Sequence, residues 1–190
     1  MHPSFNHKKY LLKRQIFAFT GKFRFYAGGK LVMYSQQKKF KLKEDIRVYA
    51  DISKKQEILK IKSRSIIDFS AAYDVIDMTA RQHVGTLRRQ GMKSMLRDEW
   101  DLLNPAGQKI GTLLEDSIGL ATIRRLLFSF LPQNYDIIVG QERVADIKQQ
   151  FNPFQYTLNI DFSPDTTNQF DPRLGIAAGI LLAAIEGRQN

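Results

Sequence analysis

The stretch that decides the fold is Asp171–Glu186, DPRLGIAAGILLAAIE, near the end of the 190-residue chain. Its first residue is a favourable N-cap, and Pro172 suits the first helical position, where no amide hydrogen is needed. No residue from Leu174 to Ile185 is polar, so the helix predicted over 171–187 has no hydrophilic face. Such a helix must be enclosed by protein or by lipid. The apolar run spans only about 18 Å, well short of a hydrocarbon core of about 30 Å, so we expect protein to enclose it.

Upstream of this helix, apolar residues alternate with polar or small ones, which is the pattern of strands with one buried face. The alternation is clear over 17–19, 23–25, 40–43 and 59–62, and lysine or arginine occupies several of the outward positions. Turn signals such as Gly28-Gly29 separate the segments. About a dozen strands are predicted, over 10–19, 22–27, 31–35, 39–43, 46–52, 57–62, 65–77, 82–88, 94–103, 109–115, 134–140, 143–149 and 155–162.

Three of the predicted hairpins resemble one another. Their first strands are Tyr73–Asp77, Trp100–Asn104 and Tyr135–Ile138, and each begins with an aromatic residue, an Asp and two β-forming residues. After a turn, each second strand carries a β-branched residue followed by a small one. This repetition favours consecutive antiparallel hairpins over βαβ units.

We therefore predict a mainly β fold, an antiparallel closed barrel of about twelve strands with the apolar helix running through its lumen. A barrel of that size is too wide for side chains alone to fill. The alternative is a β-sandwich with the helix on one face, which would leave half of the helix exposed. One short additional helix is predicted over 117–130, and the chain is expected to form a single domain over 1–190. The helix residues expected to form the core contacts are Leu174, Gly175, Ala178, Gly179 and Leu182.

The charge of the chain is distributed unevenly. The net charge is +10, but residues 1–64 alone contain 17 basic and 4 acidic residues, whereas residues 65–190 contain 12 basic and 15 acidic ones. This separation predicts one strongly positive face, which would attract nucleic acid, anionic lipid headgroups or an acidic protein. The alternative is that the charge only keeps the protein soluble.

The sequence offers no recognisable catalytic or metal-binding motif. It has no cysteine, and its histidines are His2, His7 and His83. No nucleophile elbow, zinc-binding motif, phosphate-binding loop or dinucleotide fingerprint is present. Asp161, Asp165 and Asp171 form an acidic stretch, but their spacing does not match a calcium-binding loop. We therefore expect no enzyme activity, no cofactor and no metal.

Anion binding is the function that the basic residues favour. The first cluster lies in the connection around Gly91, the second in the alternating segment 38–43, and the third is formed by Lys8-Lys9 with Lys13-Arg14. Trp100 and most of the phenylalanines are expected in the barrel interior, which disfavours base stacking. The candidate anion-binding residues are Arg88, Arg89, Lys93, Lys38, Lys39, Lys41, Lys43, Lys60 and Lys62.

Five stretches carry a family resemblance, namely 23–35, 73–85, 91–100, 110–116 and 175–178. They are similar to the LURP-one-related family of the tubby C-terminal-like superfamily, which also contains the phospholipid scramblases. The resemblance implies a barrel with a C-terminal helix and no established catalytic residues. In that superfamily, tubby domains bind phosphoinositides through surface cations and scramblases are tied to lipid movement. This chain lacks the Pro-rich region and the cysteine cluster of the scramblases.

Together these observations predict a non-enzymatic barrel of LURP-one-related type that binds anionic phospholipid or phosphoinositide-like headgroups through a basic surface. We expect a cytoplasmic protein without a transmembrane segment, peripheral at the inner membrane surface when it binds lipid. One alternative is a module that binds a protein or nucleic acid and has no lipid role. A second is a scramblase-like protein whose helix leaves the barrel, with Gly175 and Gly179 as a helix-pairing face in lipid.

Overall fold

The computed structural model describes residues 1–15, 20–38, 45–67, 70–90, 99–116, 132–152 and 154–186. Within these residues the chain forms a short 3-10 turn over Pro3–Phe5, twelve strands and one α-helix. The helix, α1, covers Pro172–Glu186. The strands are β1 Lys9–Gln15, β2 Thr20–Ala27, β3 Lys30–Lys38, β4 Ile46–Tyr49, β5 Glu57–Ile67, β6 Ser70–Asp77, β7 Gln82–Arg89, β8 Glu99–Leu103, β9 Lys109–Glu115, β10 Asn134–Val139, β11 Glu142–Gln150 and β12 Gln155–Asp161.

The strands form one closed antiparallel barrel in which each strand pairs with its neighbours along the chain, and β12 pairs with β1. The prediction of a closed twelve-stranded barrel is confirmed, and the sandwich alternative is wrong because the sheet has no edge. The boundary predicted between 57–62 and 65–77 is also wrong. A register shift between Ser63 and Ser65 lets β5 continue to Ile67. The predicted strand 39–43 and the predicted helix 117–130 lie outside the described residues.

The same irregularity recurs in five hairpins. In the three predicted repeats, the pairing register shifts directly after Val75, Leu102 and Ile137, which is the same position in each copy. The hairpins β2–β3 and β4–β5 shift in the same way after Phe25 and Val48. A bulge bends its strand and increases the local twist. The regular spacing of these shifts therefore contributes curvature around much of the barrel wall.

In two of the three repeats, the small residue marks a close approach between strands. A Cβ atom built on Gly85 would lie 2.3 Å from the carbonyl oxygen of Leu103 on the next strand. A Cβ atom on Gly111 would lie 2.5 Å from the carbonyl oxygen of Ile138. Both distances are too short for a side chain, so these positions require glycine.

Helix α1 begins at Pro172, directly after its N-cap. Every residue from Arg173 to Ala184 is buried. The helix packs mainly against β6, β7 and β12. Its glycines lie against bulky side chains, because a Cβ atom on Gly175 would lie 2.4 Å from the ring of Phe162, and one on Gly179 would lie 2.6 Å from Ile160 Cδ1.

Buried polar groups hold the N-terminal end of α1. Asp171 Oδ1 accepts a hydrogen bond from the amide of Arg173 at 3.0 Å, as an N-cap should. The Arg173 guanidinium donates from Nη1 to Asp77 Oδ2 at 2.6 Å and from Nε to Asp171 at 2.9 Å. Asp77 lies at the end of β6, is fully buried, and also accepts hydrogen bonds from the amides of Thr79 and Ala80.

The C-terminal end of α1 is held by Arg14 of β1. Its Nη1 atom donates to the carbonyl oxygen of Ala183 at 2.6 Å, and its guanidinium lies 5.7 Å from the centre of the Phe23 ring. A cation near the last helical carbonyls is favourable because that end carries the negative pole of the helix dipole. Contacts at both ends therefore fix the position of the helix along the barrel.

The Asp77–Arg173 contact predicts a specific pH dependence of stability. Burial of Asp77 opposes its ionisation, but hydrogen bonds from Thr79, Ala80 and Arg173 outweigh this and lower its pKa to about 2. In the unfolded chain the pKa returns to about 3.9. The ionised group therefore contributes about 2 kcal/mol of stability above pH 4, and this contribution is lost as pH falls from about 4 to 2.

Asp77→Asn should lower the free energy of unfolding at pH 7 by about 3 kcal/mol, because it leaves Arg173 without this carboxylate. It should also remove the acid-dependent loss described above, as measured by urea denaturation between pH 2 and 7. Asp161→Asn is the control, since its half-exposed pair with Lys9 should contribute less than about 1 kcal/mol. Equal effects of the two substitutions would contradict the assignment.

Candidate anion-binding surface

The order of the strands turns the charge asymmetry of the sequence into an asymmetry of the surface. Because strands adjacent in the chain are adjacent in the barrel, β1–β5 form one continuous part of its wall. Glu57 is the one acidic residue in the sequence of these five strands. We call their outer face the basic wall; its outward cations are Lys9, Lys13, Lys22, Arg24, Arg47, Lys60, Lys62 and Arg64.

Two pairs of cations lie directly opposite each other on neighbouring strands of the basic wall. Lys13 of β1 faces Arg24 of β2, and Arg47 of β4 faces Lys60 of β5. Like charges in this position destabilise a sheet. Within the part of the chain that the structure describes, neither Lys13 nor Arg24 forms an ion pair with a carboxylate. Among the described residues, no carboxylate therefore offsets the repulsion within the first pair.

A groove of about 600 Å³ runs along the outer face of β1 between β2 and β12. Leu11 and Tyr26 contribute its apolar surface, and Lys9 and Lys13 lie along β1 on either side of Leu11. The Lys13 ammonium group lies 5.5 Å from the centre of the Tyr26 ring. Asn159 and Asp161 add polar groups from β12, and the Asp161 carboxylate lies 3.1 Å from the Lys9 ammonium. The groove thus combines an apolar floor with one cation, Lys13, that no carboxylate of the groove pairs with.

On the wall formed by β6–β11 the outward aspartates are paired with cations, and on the basic wall four of the eight outward cations also have carboxylate partners, namely Lys9, Arg47, Lys60 and Arg64. The Asp101 carboxylate forms ion pairs with two cations: Arg88 Nη2 lies 3.0 Å from its Oδ2 atom, and Lys109 Nζ lies 2.6 Å from its Oδ1 atom. Burial opposes ionisation of Asp101, but the hydrogen bonds from Lys109, Gln90 and Arg88 outweigh it and lower its pKa. Asp74 and Asp136, at the equivalent positions of the other two repeats, pair with Arg64 and Arg143.

The predicted candidates on β5 lie on the basic wall. Lys62 is exposed, and Lys60 lies 2.7 Å from Asp45. The cations Lys22 and Arg24, which lie on the same wall, were not among the predicted candidates. Their alternation with Phe23 and with the next phenylalanine along β2 is the signal that could have identified them.

The predicted candidates on β7 have partners within the protein. Arg88 pairs with Asp101, and the Arg89 guanidinium lies 6.0 Å from the centre of the Trp100 ring. Lys38 is the last residue of β3, which ends at the same end of the barrel as β7. Four strand spacings, about 19 Å along the wall, separate the two strands. The remaining candidates, Lys39, Lys41, Lys43 and Lys93, lie outside the described residues.

The acidic residues before α1 have separate structural roles. Asp161 pairs with Lys9 at 3.1 Å, Asp165 accepts hydrogen bonds from the amides of Gln169 and Phe170, and Asp171 is the helix N-cap. Among the described residues, no three carboxylate or histidine groups are arranged to hold a metal ion.

The structure is an up-and-down antiparallel β-barrel followed by one helix. A family model described as LURP-one-related matches residues 31–183, so the chain belongs to the LURP-one-related family and the predicted resemblance is confirmed. No curated protein and no solved structure matches the chain. In the described part of the chain, no helix is both long and apolar enough to cross a membrane.

Replacing Arg24, which faces Lys13, and replacing Arg88, which pairs with Asp101, should have different effects on stability. Arg24→Gln removes a repulsion, so the free energy of unfolding should stay unchanged or rise by up to about 1 kcal/mol. Arg88→Gln removes a partner of the buried Asp101 carboxylate and should lower it by about 1 kcal/mol or more. Urea denaturation of both variants at low salt provides the comparison. A clear loss of stability in Arg24→Gln would show that Arg24 stabilises the folded protein, which would contradict this prediction.

Proposed function

We propose that this protein is a non-enzymatic barrel that binds anionic lipid headgroups, or phosphoinositide-like polyanions, through the basic wall. The observation that carries the proposal is the like-charged cross-strand pair of Lys13 and Arg24, for which the described residues provide no carboxylate partner. A bound anion would neutralise both cations and relieve their repulsion. Each cation near an anionic membrane contributes about 1 kcal/mol, and Lys22 and Lys62 of the same wall also have no carboxylate partner among the described residues.

Lipid is favoured over nucleic acid by the position of the aromatic rings. Phe23 and Phe25 alternate with the cations of β2 but are buried in the barrel, so they are not available for base stacking. Tyr26 lies in the groove, but Lys13 already lies over its ring. Nucleic acid would therefore meet mainly a charged surface, with strongly salt-dependent binding. A protein partner with no lipid role is the other alternative.

We also propose that α1 runs through the lumen of the barrel. The strands around the barrel follow the order β1, β12, β11, β10, β9, β8, β7 and β6, so β6 lies opposite β12. The helix packs against both of these strands, and its residues down to Ala184 are buried. Burial between opposite walls supports a lumen position. Membrane contact then belongs to the outer surface, as in a cytoplasmic protein that associates peripherally, and the helix need not leave the barrel.

Co-sedimentation with vesicles tests the lipid proposal. Wild-type protein should bind vesicles that contain phosphatidylserine or a phosphoinositide and should not bind pure phosphatidylcholine. The double variant Lys13→Gln/Arg24→Gln should bind at least about tenfold more weakly, because two cations leave the surface. Lys55→Gln/Arg81→Gln removes the same charge from two exposed turn positions outside the basic wall and is the matched control.

Equal weakening in both double variants would show that net charge alone drives binding and would contradict a role for the basic wall. Absence of binding to anionic vesicles at about 50 mM salt would refute the lipid proposal, since electrostatic binding is strongest at low salt. Tighter binding to duplex DNA at the same salt concentration would favour the nucleic-acid alternative.

A further inference from the structure

The turn between β11 and β12 exposes two aromatic rings. Phe151 is 62% exposed and Phe154 is 73% exposed, although phenylalanine is usually buried. In the described residues, the other large apolar side chains that are exposed are Met1 and Ile52. Neither of those has a second exposed ring within three residues. Two such rings in one turn form a local apolar feature that the packing of the barrel does not explain.

Hydrogen bonds hold the described residues of this turn and the strand end before it. Asn152 Oδ1 accepts from the amide of Phe154 at 2.9 Å and from the amide of Gln155 at 3.0 Å. A further hydrogen bond holds the end of β11, where the amide of Gln149 donates to the carbonyl oxygen of Gln133 at 3.0 Å. Because the backbone on both sides of the turn is fixed, contact through the rings costs little additional ordering.

The strand ends on one side of this turn carry no negative charge. The turn lies at the end of the barrel where α1 terminates, next to the ends of β1 and β2. The segments from β11 through β12, β1 and β2 to β3 contain no Asp or Glu and include Lys13, Lys22, Lys38 and Lys148; they are 13–15, 20–23, 35–38, 147–150 and 155–158. This sector is continuous with the basic wall, because β1–β3 belong to both. On the other side, the exposed Asp116 follows the end of β9, two strands from β11.

We propose that Phe151 and Phe154 insert into the interfacial region of an anionic bilayer, so that the edge between this end of the barrel and the basic wall faces the membrane. The inference deepens the proposed lipid binding and rests on it. Apolar rings beside lysines are the combination that holds proteins at anionic membrane surfaces. A protein partner would need a contiguous area near 800 Å² on each side, far more than two rings on a protruding turn offer.

Tryptophan probes test which end of the barrel meets the bilayer. In Phe154→Trp, vesicles that contain phosphatidylserine should shift the emission to the blue, and brominated acyl chains should quench it. Ile52→Trp places the same probe in the β4–β5 connection at the opposite end and should show neither effect. The wild-type protein gives the baseline, because its single tryptophan, Trp100, is buried.

A second variant measures the contribution of the rings to binding. Phe151→Ala/Phe154→Ala should weaken binding to anionic vesicles by about tenfold or more, since partial burial of two rings is lost. Ile52→Ala should bind like the wild type. If the wild type binds vesicles but Phe154→Trp is neither shifted nor quenched, or if the double alanine variant binds normally, ring insertion is wrong while lipid binding stands. If the wild type does not bind anionic vesicles, both proposals fail.

Discussion

The burial of helix α1 is the constraint on which the rest of the structure depends. Its residues from Arg173 to Ala184 are buried, as is expected of a helix that has no polar face to expose to water. Strands from opposite parts of the wall meet it, and its glycines allow Phe162 and Ile160 to approach the helix backbone closely. A sheet that closes into a barrel must curve steadily, and the register shifts repeated in five hairpins contribute to that curvature.

The same topology determines where the charges lie. An up-and-down barrel keeps chain neighbours side by side, so the basic first third of the sequence becomes a continuous basic wall. On the other side, aspartates such as Asp101 are paired with cations from adjacent strands. Among the described residues, the surface therefore contains charges that are ion-paired, on both walls, and charges without a carboxylate partner, such as those of Lys13 and Arg24. This division is the physical basis of the proposed anion binding.

The alternation of strands and the apolar helix were sufficient to predict the closed barrel, because both depend on local periodicity. The polar contacts of the helix were not predictable in this way. Asp77 lies 96 residues from Arg173 in the chain, and Arg14 lies 169 residues from Ala183, so only the folded topology brings them together. The pairing of Arg88 with Asp101 likewise depends on the strand register.

The candidate site was predictable in its general charge but not in its details. The excess of lysine and arginine before residue 65 indicated a basic surface, whereas the role of Lys13 depends on which residue faces it across β2. Phe151 and Phe154 could not be separated by sequence from the buried phenylalanines such as Phe23, because an isolated aromatic residue carries no signal of its exposure.

Native-state hydrogen exchange tests the central claim, that α1 is an integral part of the barrel interior. The amides of Ile176–Leu182 should exchange only through global unfolding, with the same opening free energy as the central strands, both alone and with anionic vesicles. Faster exchange of the helix than of the strands, or acceleration by vesicles, would show that the helix opens independently of the wall and is not an integral part of the barrel.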